Sequence, residues 1–143
     1  MQELFLPYEL AVIAKQKGFD YPCICLYQFY NDTYKLIAID QHWGNYLSGM
    51  CKDYGDNIND EEYLAPMYQQ MVMWLFKEHG IWITLEYYNH SEPTDKLPIG
   101  FMFYIEEYGH CISGKKENGL FKTYQEAMNK AIEESFKYID SNV

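Results

Sequence analysis

The chain contains no arginine. Its 11 basic residues are all lysine and stand against 21 aspartates and glutamates, for a net charge of −10. Arginine is the side chain that grips phosphate, carboxylate and guanine through two parallel hydrogen bonds. A chain that lacks it and carries this charge has no electrostatic footing on a phosphate backbone, so nucleic acid is not an expected partner. Neither half conceals a basic module: residues 1–64 hold 4 lysines against 10 acids, and residues 65–143 hold 7 against 11. Long apolar runs are also missing. No stretch approaches the roughly 18 apolar residues of a membrane span, and the opening MQELFLPYEL is acidic and too short in its apolar part for an export signal. The expectation is a cytoplasmic protein with no membrane partner, whose four cysteines, Cys23, Cys25, Cys51 and Cys111, are reduced. The nucleotide, zinc-protease, esterase and calcium-loop fingerprints are absent as well.

What is present is apolar and aromatic. Hydrophobic residues make up 48% of 143, enough for one domain with a sizeable core. The chain is organised around Ala65 to Tyr88, APMYQQMVMWLFKEHGIWITLEYY. Met67, Met71, Trp74 and Leu75 recur at helical spacing after Pro66, a residue suited to a first helical turn. Gly80 stands where a left-handed helix stop is wanted. The period then becomes two: Ile81, Ile83, Leu85 and Tyr87 share one face of a strand, and Trp82, Thr84, Glu86 and Tyr88 the other.

Before this stretch, residues 7–17 read as a short helix stopped by Gly18, with Phe19 folding back over its last turn. Cys23 to Tyr30 reads as a strand buried on both faces, and Asn31-Asp32-Thr33 turns it into a returning strand, Tyr34 to Asp40. Residues 41–64 show no sustained period and read as a long loop. After it, Ile99 to Tyr108 is a second alternating strand, and His110 to Ser113 a short third. Residues 123–139 form an amphipathic helix opened by the capping pair Thr123 and Glu126. The fold class is therefore α+β. An antiparallel sheet carries helices 66–79 and 123–139 on the face of Ile83, Leu85, Phe101 and Phe103, preceded by a helix and a hairpin.

Three segments, LPYELAVIAKQKGFD, APMYQQMVMWLFKEHGIWI and KTYQEAMNKAIEESFKYI, resemble a family of small uncharacterised proteins of phages and prophages of gut bacteria. The resemblance covers most of the chain outside residues 41–64. It rests on Leu10, Ala14, Gly18, Trp74, His79, Tyr124, Ala127 and Ala131, which are core and cap positions. It implies a setting in the cytoplasm of a bacterial host and carries over no catalytic residue.

Candidate chemistry is sparse. Cys23 and Cys25 point to one face of a strand, but no common zinc spacing accompanies them. His110 and Cys111 are strand neighbours and so diverge. The carboxylate pairs 61–62, 106–107 and 133–134 diverge likewise, and no metal or cofactor is expected. The unusual feature is 15 Tyr, 8 Phe and 3 Trp. Trp82, Tyr88, Met102 and Tyr104 fall on the sheet face opposite the helices, and residues of these types favour protein interfaces. The leading expectation is a non-enzymatic protein that binds another protein or itself through them, unless residues 1–40 cover that face. Two alternatives stand beside it. One is a small-molecule or catalytic pocket under the 41–64 loop, formed by Asp40, His42 and Trp43. The other is an acidic mimic of nucleic acid that occupies a basic host protein.

Overall fold

The computed structural model describes residues 2–38, 62–88, 100–113 and 120–143. The chain divides into two compact units, Met1–Met71 and Val72–Val143, and the fold is α+β.

In the first unit a 3-10 turn at Gln2–Leu4 leads into helix α1, Tyr8–Gln16, which buries Leu10, Ala11 and Ala14. The helix ends on paired bonds: the Gly18 N–H donates to the Lys15 carbonyl and the Phe19 N–H to that of Ala14, both at 3.0 Å. That pairing is a left-handed helix stop, and Phe19 is buried over the turn it closes. Strands β1, Cys25–Tyr30, and β2, Thr33–Ala38, form a hairpin in continuous register. Its two turn residues, Asn31 and Asp32, have φ of 50° and 60°. A two-residue hairpin needs both in the left-handed region, which short polar side chains tolerate best after glycine. The first half of β1 is buried and the second half opens to solvent. The expectation of burial on both faces therefore holds only for Cys25, Leu26 and Tyr27.

A third strand, β3, Glu62–Leu64, pairs antiparallel with the other side of β1, giving the order β2-β1-β3. These three residues lie inside the stretch read as a loop. Partners distant in sequence hold them: the Gln28 amide donates to the Glu62 carboxylate at 2.9 Å and the Ala65 N–H to the Cys25 carbonyl at 2.9 Å. Pro66 precedes the next helix instead of opening it. Its carbonyl accepts from the Leu6 N–H at 2.9 Å, beside an antiparallel bridge between Phe5 and Met67. Helix α2, Tyr68–His79, begins behind a cap in which the Gln70 side chain accepts from the Met67 N–H at 2.9 Å.

The second unit opens with the end of α2. Gly80 has φ of +68° and its N–H returns to the Phe76 carbonyl at 3.0 Å. Strands β4, Ile81–Tyr88, β5, Gly100–Glu107, and β6, His110–Ser113, follow in the order β4-β5-β6, all antiparallel. The β5–β6 turn is Tyr108-Gly109, with both φ positive. Phe121 bridges Phe101 through two backbone hydrogen bonds of 2.8 and 2.9 Å.

Helix α3, Tyr124–Ser141, carries the expected capping box. The Glu126 N–H donates to Thr123 Oγ1 at 3.1 Å, and the Thr123 N–H donates back to the Glu126 carboxylate at 3.2 Å. Its Ala127, Met128, Ala131, Ile132 and Phe136 are buried, as are Ile83, Phe103 and Ile105 of the strands against which it packs. The Tyr138 hydroxyl donates to Glu107 at 2.6 Å from the same side. Each large side chain buried in this layer contributes about 1.5–3 kcal/mol of transfer free energy.

Candidate functional site

The β4–β5 register pairs Trp82 with Glu106, Thr84 with Tyr104, Glu86 with Met102 and Tyr88 with Gly100. Because side chains alternate along a strand, Trp82, Tyr88, Met102 and Tyr104 do share a face, the one opposite α3. They do not share an environment. Trp82 is 43% exposed and Tyr88 and Tyr104 are half-buried, whereas Met102 is 6% exposed and belongs to the core. The continuous aromatic patch expected from the sequence is therefore interrupted at Met102. Alternation assigns a side chain to a face, but the depth of that face is set by what packs on it.

The open part of the face continues onto α2. The ring of Phe76, itself 49% exposed, lies edge-on to Trp82 with centroids 5.4 Å apart and planes at 81°. Met73, one helical turn earlier on the same side of α2, is exposed as well. Edge-to-face packing stabilises such a pair by about 0.5–1.5 kcal/mol beyond area burial, and here it leaves the Trp82 ring partly in water. The charge of the strands themselves is of one sign. Strands β4, β5 and β6 carry Glu86, Glu106 and Glu107 and no lysine. Glu107 faces α3 and accepts the Tyr138 hydroxyl, so Glu86 and Glu106 remain on the Trp82 face. Tyr104 donates to Glu86 at 3.4 Å, a long bond. Asp40, His42 and Trp43, the residues of the expected loop pocket, lie outside the described residues.

Two aromatic groupings escaped the sequence reading. In the second unit Tyr87, Phe101 and Tyr124 form a row, with ring centroids 5.1 and 6.1 Å apart, at the first turn of α3. Tyr87 lies on the face of α3 yet is exposed, because it sits near the end of β4. In the first unit Tyr8 of α1 stacks on Tyr34 of β2 at 3.9 Å and 15°, and meets Tyr27 and Tyr63 edge-on. The Tyr27 hydroxyl donates to the Leu6 carbonyl at 2.5 Å. Burial, with further contributions from Tyr68, Glu9 and Cys25, pushes the Tyr27 phenol up to about 12. Loss of water contact, and then hydrogen bonds to Tyr34 and Tyr63, push Tyr8 well above the ordinary phenol range. These phenols stay protonated at neutral pH and act as donors, not bases. The Lys15 ammonium lies 4.7 Å from the centre of the Tyr63 ring and donates to the Glu62 carbonyl at 3.2 Å. The cluster thus holds a cation from its own chain. The high tyrosine count hinted at such a group, but Tyr63 fell in the stretch without a period.

Among the described residues the thiols show no nucleophilic arrangement. Cys23 and Cys25 are buried, and burial raises the Cys25 thiol, which disfavours the thiolate. Cys111 is exposed and its Sγ donates to the Ser113 carbonyl at 3.3 Å. Among the described residues no three His, Cys, Asp or Glu side chains gather into a metal-binding group, and no helix is long and apolar enough to cross a membrane.

No family model, curated protein or solved structure matches the chain.

Proposed function

We propose that the chain is a non-enzymatic binding protein whose target is another protein, and that Trp82 is the centre of the contact surface. The observation that carries this reading is the half-open Trp82 ring, on the sheet face that α3 does not occupy, beside the exposed Phe76 of α2. Aromatic residues and methionine are the types enriched in the centres of interfaces. A tryptophan seated there typically costs at least about 2 kcal/mol of binding when truncated, if it is a hot spot. The setting belongs to the proposal too: a phage-type accessory protein at work in the cytoplasm of a bacterial host, as the resemblance of the three segments implies.

The test compares the intact chain with Trp82→Ala, each immobilised and exposed to host-cell extract, with bound proteins identified by mass spectrometry. The expected result is one stoichiometric partner retained by the parent and lost by Trp82→Ala, with little change in melting temperature. Equal retention by both proteins rules out Trp82 as the centre of the surface. If the chain instead turns over a small molecule, the binding reading itself fails.

A further inference from the structure

We infer that the occupant of the Trp82 surface is an arginine-bearing segment of the partner protein, with a guanidinium seated between the indole ring and Glu106. The inference rests on the binding role proposed above and specifies its chemistry. Trp82 and Glu106 are direct cross-strand partners on one face, so their Cβ atoms lie about 5 Å apart. A planar cation that stacks on an aromatic ring while pairing with a carboxylate fits this spacing, and arginine does both. Glu86, four residues along β4 on the same face, adds a second negative charge. Strands β4, β5 and β6 themselves carry no lysine.

The composition of the chain strengthens the choice of occupant. It has no arginine of its own and a net charge of −10. A symmetric pairing of two copies through this face would set the same patch against itself. One acidic patch would then meet another, with no guanidinium from either copy to relieve the repulsion. A second copy is therefore the wrong occupant, and a cationic segment of a different protein is the right one. The indole ring supplies what a plain acidic surface lacks: a preference for arginine over lysine, because the delocalised guanidinium stacks and sheds water more readily than an ammonium.

The experiment uses the full chain with isotope-labelled tryptophan, titrated with three short alternating peptides: Gly-Arg, Gly-Lys and Gly-Glu. The indole N–H resonance of each tryptophan is read, and Trp82→Phe assigns the Trp82 signal. The Gly-Arg peptide is expected to move the Trp82 signal at lower concentration than Gly-Lys, and Gly-Glu to leave it in place. Glu106→Gln, a surface change of nearly equal shape, is expected to weaken Gly-Arg binding about threefold to fivefold. A control with a larger charge change, Glu133→Gln with Glu134→Gln on α3, is expected to leave it within about twofold. A Trp82 signal that Gly-Arg does not move overturns the inference. So does an equal loss in Glu106→Gln and the α3 control, which would mean diffuse attraction to an acidic protein. If a captured partner depends on Trp82 but binds Glu106→Gln unchanged, the arginine inference fails while the binding role stands. If capture does not depend on Trp82, that role fails at this surface.

Discussion

Replacing Gly80 with alanine separates two effects at the corner between α2 and β4. The first is backbone strain. Gly80 has φ of +68°, and an L-residue held in the left-handed region costs about 1–2 kcal/mol. The second is a collision. A methyl group at Gly80 would lie 2.5 Å from Cζ, 2.8 Å from Cε1 and 2.9 Å from the hydroxyl of Tyr108. Those atoms are the far end of a side chain that is 81% exposed, so the ring can swing into water and the collision costs little. The strain cannot be relieved that way, because the Gly80 N–H is tied to Phe76 and its carbonyl accepts from the Tyr108 N–H at 3.3 Å. The expected loss for Gly80→Ala is therefore about 1–2 kcal/mol, most of it from φ. At this chain length that is a fall of several degrees in melting temperature, on the order of 3–8 °C. Urea unfolding of Gly80→Ala, Tyr108→Ala and the double variant apportions the loss. At least half of it should survive in the Tyr108→Ala background, and Gly80→Asn should be the milder substitution. If Tyr108→Ala abolishes the loss entirely, the strain argument is wrong and the ring contact is the whole effect.

Three further outcomes are expected. Met102→Ala should cost about 2–5 kcal/mol in urea unfolding, while Trp82→Ala should cost less than about 1.5 kcal/mol; equal losses would contradict the division of the face into core and surface. Thr123→Ala should cost about 1 kcal/mol by removing the acceptor of the Glu126 N–H, and Thr123→Asp should recover most of it, as melting curves would show. Tyr27 and Tyr8 are both raised above the ordinary phenol value of 10.0 in the folded protein. Because the protonated form is the one the fold prefers, both contributions are complete below about 10; that of Tyr27 is lost as pH rises toward 12, and that of Tyr8 persists to higher pH. Tyr27→Phe should therefore lower stability at neutral pH through loss of the bond to Leu6, yet flatten the alkaline decline in a pH series of unfolding curves.

The parts of the fold that the sequence made legible are those decided within a few residues. Thr123 with Glu126, Gly18 with Phe19, and Gly80 at the end of α2 are local signals, and each sits where its own chemistry needs it. The alternation of β4 and β5 also fixed their faces, and pairing followed from complementary faces. What was not legible depends on partners far along the chain. Glu62–Leu64 is a strand because Gln28 and Cys25 receive it. Pro66 stays outside α2 because Leu6 uses its carbonyl. The tyrosine cluster gathers residues 8, 27, 34 and 63 from four elements. At the candidate site, membership of the Trp82 face could be read from the sequence. The burial of Met102 and the approach of Phe76 could not.

One feature of the second unit bears on how that unit comes apart. Strand β5 is paired with β4 along its length and on its other edge with β6, and beyond β6 the two bonds to Phe121 continue that edge at Phe101. The Phe121 carbonyl comes so close that a methyl at Gly100 would lie 2.5 Å from it. Few amides of β5 are therefore left to fraying. In heavy water the amide of Phe101, one residue from the start of its strand, should exchange on the timescale of core amides instead of terminal ones. β5 becomes the last strand to let go, and a protease or unfoldase working on this unit must break both neighbours of β5 before it gains a loose end there.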